Sequence, residues 1–136
     1  MKIVILDGKA LNPGDLSYDH LNQYGEVTIY QRTETEAETI QRIGDSEIVL
    51  VNKVPITEAV LAACPNIRLI CVQATGYNIV DVEACARRKI PVTNVPTYGT
   101  AAVAQFTMAL ILEMCHRIGL HNHSVHQGDW AEAETF

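Results

Sequence analysis

The sequence has no glycine-rich phosphate cradle. Neither G-x-G-x-x-G nor the P-loop pattern occurs in its 136 residues, and the G-x-S-x-G nucleophile elbow is missing too. Dinucleotide grip, nucleotide hydrolysis and serine-hydrolase chemistry therefore find no motif in this chain. No histidine and carboxylate stand together at a strand end to move a proton. A basic excess is also lacking: ten Lys and Arg face sixteen Asp and Glu, a formal net charge of -6. No long-range field draws phosphate backbones, so nucleic acid is not an expected partner. The four cysteines, at 64, 71, 85 and 115, include no C-x-x-C pair. They read as reduced, buried small hydrophobes of a cytoplasmic protein. The longest apolar stretch, Thr100 to Cys115, is interrupted by Gln105, Thr107 and Glu113, short of the roughly 20 apolar residues of a membrane span. Met1-Lys2 runs straight into a strand-like segment, and no signal peptide is expected.

What is present is a core. Apolar residues make up 48% of the chain and charged ones 19%, the balance of a globular domain. Five short β-branched runs recur at near-constant intervals: Lys2 to Leu6, Glu26 to Tyr30, Glu47 to Val51, Arg68 to Val72 and Ile90 to Asn94. Each interval holds one crossover helix, which predicts an α/β fold with a parallel five-stranded sheet. Pro91 places the fifth run at an edge, or itself among the first residues of that strand.

The intervals carry helix marks. Leu16 to Tyr24 sets Leu16, Leu21 and Tyr24 on one side and stops at Gly25. Thr33 and Glu36 form a capping box for a helix that buries Ala37, Ile40 and Ile43 and stops at Gly44. Glu34, Glu36 and Glu38 suit the positive end of that helix, so the acidic run reads as capping and a solvated face, not a metal site. Thr57 opens Glu58 to Ala63, with Cys64-Pro65-Asn66 closing it. Asp81 caps Val82 to Lys89. From Thr100 to Arg117 the pattern is apolar on every side of a helix, which demands burial against a second domain or a second subunit. The polar tail, Gly119 to Phe136, holds His121, His123 and His126, whose spacing completes no recognisable metal site. Trp130 and Phe136 read as anchors for a partner surface.

Ligands of open α/β sheets bind beyond the carboxyl ends of the strands. Those ends are Asp7-Gly8, Asn52-Lys53, Thr75-Gly76-Tyr77 and Asn94. Lys53 by its charge and the Gln73 to Asn78 turn by its N–H groups suit an anion, and a small carboxylic acid fits better than a phosphate. The plain alternatives are a surface lysine, and a Gly76 kept only for a positive φ.

Three segments in series resemble the D-isomer-specific 2-hydroxyacid dehydrogenases, in their glycerate dehydrogenase or hydroxypyruvate reductase branch. They are Ala74-Thr75-Gly76-Tyr77-Asn78-Ile79-Val80-Asp81, Ile90 to Thr100, and Val103 to Leu112, with Asn52-Lys53-Val54 and Gln127-Gly128-Asp129-Trp130 in agreement. The resemblance implies a flavodoxin-like substrate domain over residues 1–99, interrupted by a Rossmann domain. Residues 100–136 would supply that domain's linking and dimerisation helix and an arm to the partner of a homodimer. It implies Thr75, Gly76 and Lys53 as substrate-binding residues, and Thr75 and Val103 beside an NAD or NADP cofactor, NAD favoured. The catalytic arginine, glutamate and histidine are expected beyond residue 136, so these residues alone are expected to be inactive. The reaction implied is hydride transfer between NAD(P)H and a small 2-keto acid such as hydroxypyruvate or glyoxylate. The rival expectation is a stand-alone flavodoxin-like module that binds a small acid or regulates.

Overall fold

The computed structural model describes residues 1–135. Strands β1 (Lys2–Ile5), β2 (Glu26–Ile29), β3 (Ile48–Val51), β4 (Leu69–Val72) and β5 (Val92–Thr93) form one parallel sheet in the order β2-β1-β3-β4-β5. This is the flavodoxin-like order, β5 lies at its edge, and Pro91 immediately precedes that strand. Pro91 loses a donor but keeps its carbonyl in the ladder, accepting from the Ile70 N–H at 3.1 Å.

The chain steps outward from β1 to β2 in one direction and then always in the other. Helices α2 (Glu36–Ile43), α3 (Glu58–Ala63) and α4 (Val82–Arg87) accordingly line one face, α2 against α3 and α3 against α4. The core lies between that layer and the sheet: Val49, Val51, Ile70 and Val72 meet Ile43, Val60, Leu61, Ala84 and Cys85. Each large side chain buried there is worth roughly 1.5–3 kcal/mol, against about 0–1 kcal/mol for an exposed ion pair. Val60 and Leu61, not the charges around Glu58, decide where α3 sits.

Helix α3 spans the residues that Thr57 and Cys64 bracket in the sequence, and Thr57 Oγ1 accepts from the Val60 N–H. Asp81 caps α4 through the Ala84 N–H at 2.9 Å. Four expectations are corrected. The capping box of α2 is Thr35 with Glu38, not Thr33 with Glu36. Thr33 is buried instead, donating to the Leu6 carbonyl at 2.5 Å and accepting from Arg42 at 2.8 Å, and Ala37 stays exposed. Leu16 to Tyr24 is not an α-helix: a short helix α1 (Gly8–Leu11) precedes a five-residue 3-10 turn, Asp19–Gln23, and Leu16 and Tyr24 face solvent. Gly25 is required by close approach rather than by a helix end. A Cβ there would lie 2.1 Å from the Met1 carbonyl oxygen.

Met1 to Pro96 form one compact unit and the residues from Thr97 onward a second. In the second, α5 (Thr100–His116) buries none of its apolar side chains, Phe106, Met108, Leu110 and Met114 among them. Arg117, in the left-handed region with φ 49°, turns the chain into α6 (Ile118–Gln127), and Glu113 accepts from the Gly119 N–H there. Gly128, with φ 93°, leads into α7 (Asp129–Glu132). The tail thus winds into helices, and His121 and His123, two positions apart on α6, do not share a side. Trp130 is exposed on α7; Phe136 lies outside the described residues. Cys64 and Cys85 are buried and Cys71 half-buried, as their apolar surroundings imply, whereas Cys115 is exposed on α5. No single helix among the described residues is long and apolar enough to cross a membrane.

Candidate functional site

Polar residues follow β1, β3, β4 and β5 at the carboxyl edge, and Asp7, Asn52 and Asn94 brace the neighbouring segments. Asp7, after β1, is 5% exposed, and its carboxylate accepts the main-chain N–H of Asn52 at 3.0 Å and of Lys53 at 2.5 Å. The loop after β3 is thereby held to the end of β1, where the strand order reverses. Asn52 in turn donates from its side-chain amide to the Gln73 carbonyl at 3.1 Å. Gln73 also continues the ladder, its N–H donating to the Val51 carbonyl at 2.8 Å. Burial, and next the charge of Asp7, push the nearby Tyr18 phenol above its ordinary value.

The turn after β4 is fixed from the other side by the segment after β5. Thr75 Oγ1 donates to the Val95 carbonyl at 3.1 Å, Asn94 donates to the Thr75 carbonyl at 2.8 Å, and the Val95 N–H donates to the Ala74 carbonyl at 3.0 Å. Among the described residues, the N–H groups of Thr75, Gly76 and Tyr77 donate to no protein acceptor. Three exposed successive donors on a turn pinned at both ends form a concentrated positive edge suited to an oxyanion. Gly76 has no positive φ, and a Cβ on it would touch only Asn78 Oδ1, at 3.4 Å. Neither backbone conformation nor packing requires glycine there, so the plain reading of Gly76 falls. Asn52 Oδ1 and Gln73 Oε1 are buried without a hydrogen-bond partner among the described residues.

Thr75 and Gly76 therefore come together on one surface. Lys53 lies in the loop after the adjacent strand, and it lines a cavity that none of the turn's residues reach. Val103 is exposed on α5 in the second unit. Asn94 and Asp7 were visible in sequence only as polar residues after strands; that they hold the turn and the neighbouring loop depends on strand order. The same edge does not fit a dinucleotide pyrophosphate. The Gly8 and Lys9 N–H groups, which would have to face a phosphate after β1, donate to Tyr30 and Gln31 carbonyls at 2.9 and 3.1 Å. Gly8 is there for packing, since a Cβ would lie 2.9 Å from Ile29.

Residues 3–135 match the model of the D-isomer specific 2-hydroxyacid dehydrogenase catalytic domain. The chain belongs to this family. It is 54% identical over 132 residues to a hydroxypyruvate reductase from Blautia hydrogenotrophica, covering 96% of this chain and 41% of that protein. A glycerate dehydrogenase from Methylorubrum extorquens is 31% identical over 135 residues, 99% of this chain and 42% of that one. In fold, an acyclic imino acid reductase solved with NADPH and D-Arg superposes with a TM-score of 0.78, covering all of this chain and 43% of that structure. At 24% identity it speaks for the fold alone. The chain thus spans about two fifths of the length of the dehydrogenases it matches. Within the family, the Thr75–Tyr77 turn belongs to a catalytic-domain sheet.

Proposed function

We propose that this chain supplies the substrate-binding part of an oxidoreductase that moves a hydride between a nicotinamide dinucleotide and a short 2-keto acid, hydroxypyruvate or glyoxylate. The observation that carries the reading is the turn after β4, where Thr75, Gly76 and Tyr77 present N–H groups without protein partners while Asn94, Val95 and Asn52 hold the turn still. Such donors accept a carboxylate without reorganisation, and each charge-assisted hydrogen bond is worth roughly 1.5–3 kcal/mol. The work of these residues is to bind and orient: the carboxylate on the turn fixes where the 2-keto carbon lies.

The nicotinamide, NAD or NADP, supplies the hydride. Its pyrophosphate has to be held by residues other than these, and the catalytic arginine, glutamate and histidine likewise lie outside the 136 residues. Thr75 and Val103 are the positions proposed to face the nicotinamide. The domain division proposed is 1–99 for substrate and 100–136 for the linking helix and arm. The exposed apolar sides of α5 support a homodimer through 100–136. The charge balance and reduced cysteines support a cytoplasmic protein.

The test is complementation. The 136-residue chain is expected to show no NADH oxidation with hydroxypyruvate, and joining it to the cofactor-binding part of the Blautia reductase to restore turnover. Turnover by the chain alone overturns the division of labour. A folded but inactive chimera favours a stand-alone binding module.

A further inference from the structure

A cavity of about 290 Å3 opens at the carboxyl ends of β1, β2 and β3, on the side of Lys53 away from the Thr75 turn. It adjoins the point where strand order reverses between β1 and β3, the place at which open α/β sheets leave a crevice for ligands. Three cations line it: Lys9 from α1, Arg32 from the loop after β2 and Lys53 from the loop after β3. Ala10 and Val54 add apolar surface between them.

The charges there are unspent. Lys9 and Lys53 enter no ion pair among the described residues, and Arg32 commits only its Nε, to Glu34 at 2.7 Å. The Nη groups of Arg32 donate to nothing among the described residues. Asp7 also lines the cavity, but its two oxygens are already held by the Asn52 and Lys53 N–H groups. Counting Asp7 and Glu34 against the three cations leaves a positive excess, in a chain whose net charge is -6. Three cations, one from α1 and two from the loops after β2 and β3, converge only because of strand order. The volume lies just under the roughly 300–1,000 Å3 of drug-sized ligand sites, which admits a molecule of a few heavy atoms and excludes a dinucleotide.

We propose that this cavity is an oxyanion site for a small phosphate-bearing or carboxylate-bearing molecule, held by Lys9, Lys53 and Arg32 and separate from the Thr75-Gly76-Tyr77 turn. The guanidinium Nη pair presents a planar fork to two oxygens, and the ammonium groups of the lysines complete the charge. The proposal does not depend on the dehydrogenase reading.

The test is titration of the 15N-labelled 136-residue chain with inorganic phosphate and, separately, with acetate, at an ionic strength held by sodium chloride. Saturable shifts are expected at the amides of Lys9, Ala10, Arg32 and Val54. Lys9→Gln should weaken binding about fivefold, and Lys9→Gln with Arg32→Gln more than about tenfold, the loss of one and two charged contacts. Both positions are exposed, and unchanged spectra elsewhere establish that the variants fold. Tighter phosphate than acetate assigns a phosphate group; the reverse assigns a carboxylate. Shifts that fail to saturate by about 50 mM, that chloride reproduces, or that the double variant leaves unchanged overturn the proposal. Shifts confined to Thr75, Gly76 and Tyr77 overturn it as well, while leaving the proposed function intact.

Discussion

Gly76 shows what a small residue does when the backbone does not need it. Its φ is ordinary and an added Cβ meets nothing closer than Asn78 Oδ1 at 3.4 Å. Gly76→Ala should therefore change the unfolding free energy by less than ~1 kcal/mol. Binding of hydroxypyruvate should nonetheless weaken about tenfold, since a methyl group crowds an oxyanion seated on the N–H groups. Urea denaturation and a binding titration on one sample separate the two effects. Asp7→Ala makes the opposite trade: it strands the N–H groups of Asn52 and Lys53, and should cost about 1–3 kcal/mol of stability in the same urea experiment. At this scale the sequence exposed the turn, because a glycine after an apolar run marks a strand end. It concealed that Lys53 lines a different cavity, since side-chain direction after β3 follows from Asp7 gripping the loop from another strand.

Among the elements, α3 and α4 are joined by charge as well as by packing. Glu58 on α3 receives Arg87 at 2.9 Å and Arg88 at 2.5 Å from the end of α4 and beyond. The Arg88 hydrogen bond is the main reason its carboxyl stays below the usual range. Glu47 beside Arg68, Asp45 beside Lys2, and Glu38 under the Glu34 and Thr35 N–H groups are held low in the same sense. A carboxyl whose folded pKa is depressed contributes stability that is complete above its unfolded value, about pH 4, and is lost as pH falls through the folded one. Thermal unfolding followed from pH 6 downward, with those values being roughly the carboxylate range, should steepen below that point. Glu58→Gln should flatten part of the slope, and added salt should flatten more, because all four groups are exposed. The bounds of α3 were legible because Thr57 and Pro65 leave no second choice. Those of α2 were not: Thr33 and Thr35 each stand three residues before a glutamate, and only the burial of Thr33 under Leu6 and Arg42 breaks the tie. The stretch from Leu16 to Tyr24 misled for a related reason. Its apolar spacing suits a helix, but Leu16 and Tyr24 have no core to enter.

For the whole molecule, α5 sets the behaviour. Its sequence demands cover on every side, and the chain leaves Phe106, Met108, Leu110, Ile111, Leu112 and Met114 exposed. Apolar patches beyond a few hundred Å2 are rare on monomers, so the chain should self-associate. Sedimentation equilibrium should give a mass that rises with concentration, and Leu110→Glu with Met114→Glu should lower it towards the monomer. A monomeric mass at every concentration would contradict the expectation. In the other unit, Thr75, Gly76 and Tyr77 are proposed to hold the carboxylate of a 2-keto acid. The most direct measurement of this is a hydroxypyruvate titration of the 15N-labelled chain. The largest saturable shifts should fall on the amides of Thr75, Gly76 and Tyr77 and vanish in Gly76→Val. Saturable binding that leaves those three amides unmoved would contradict it.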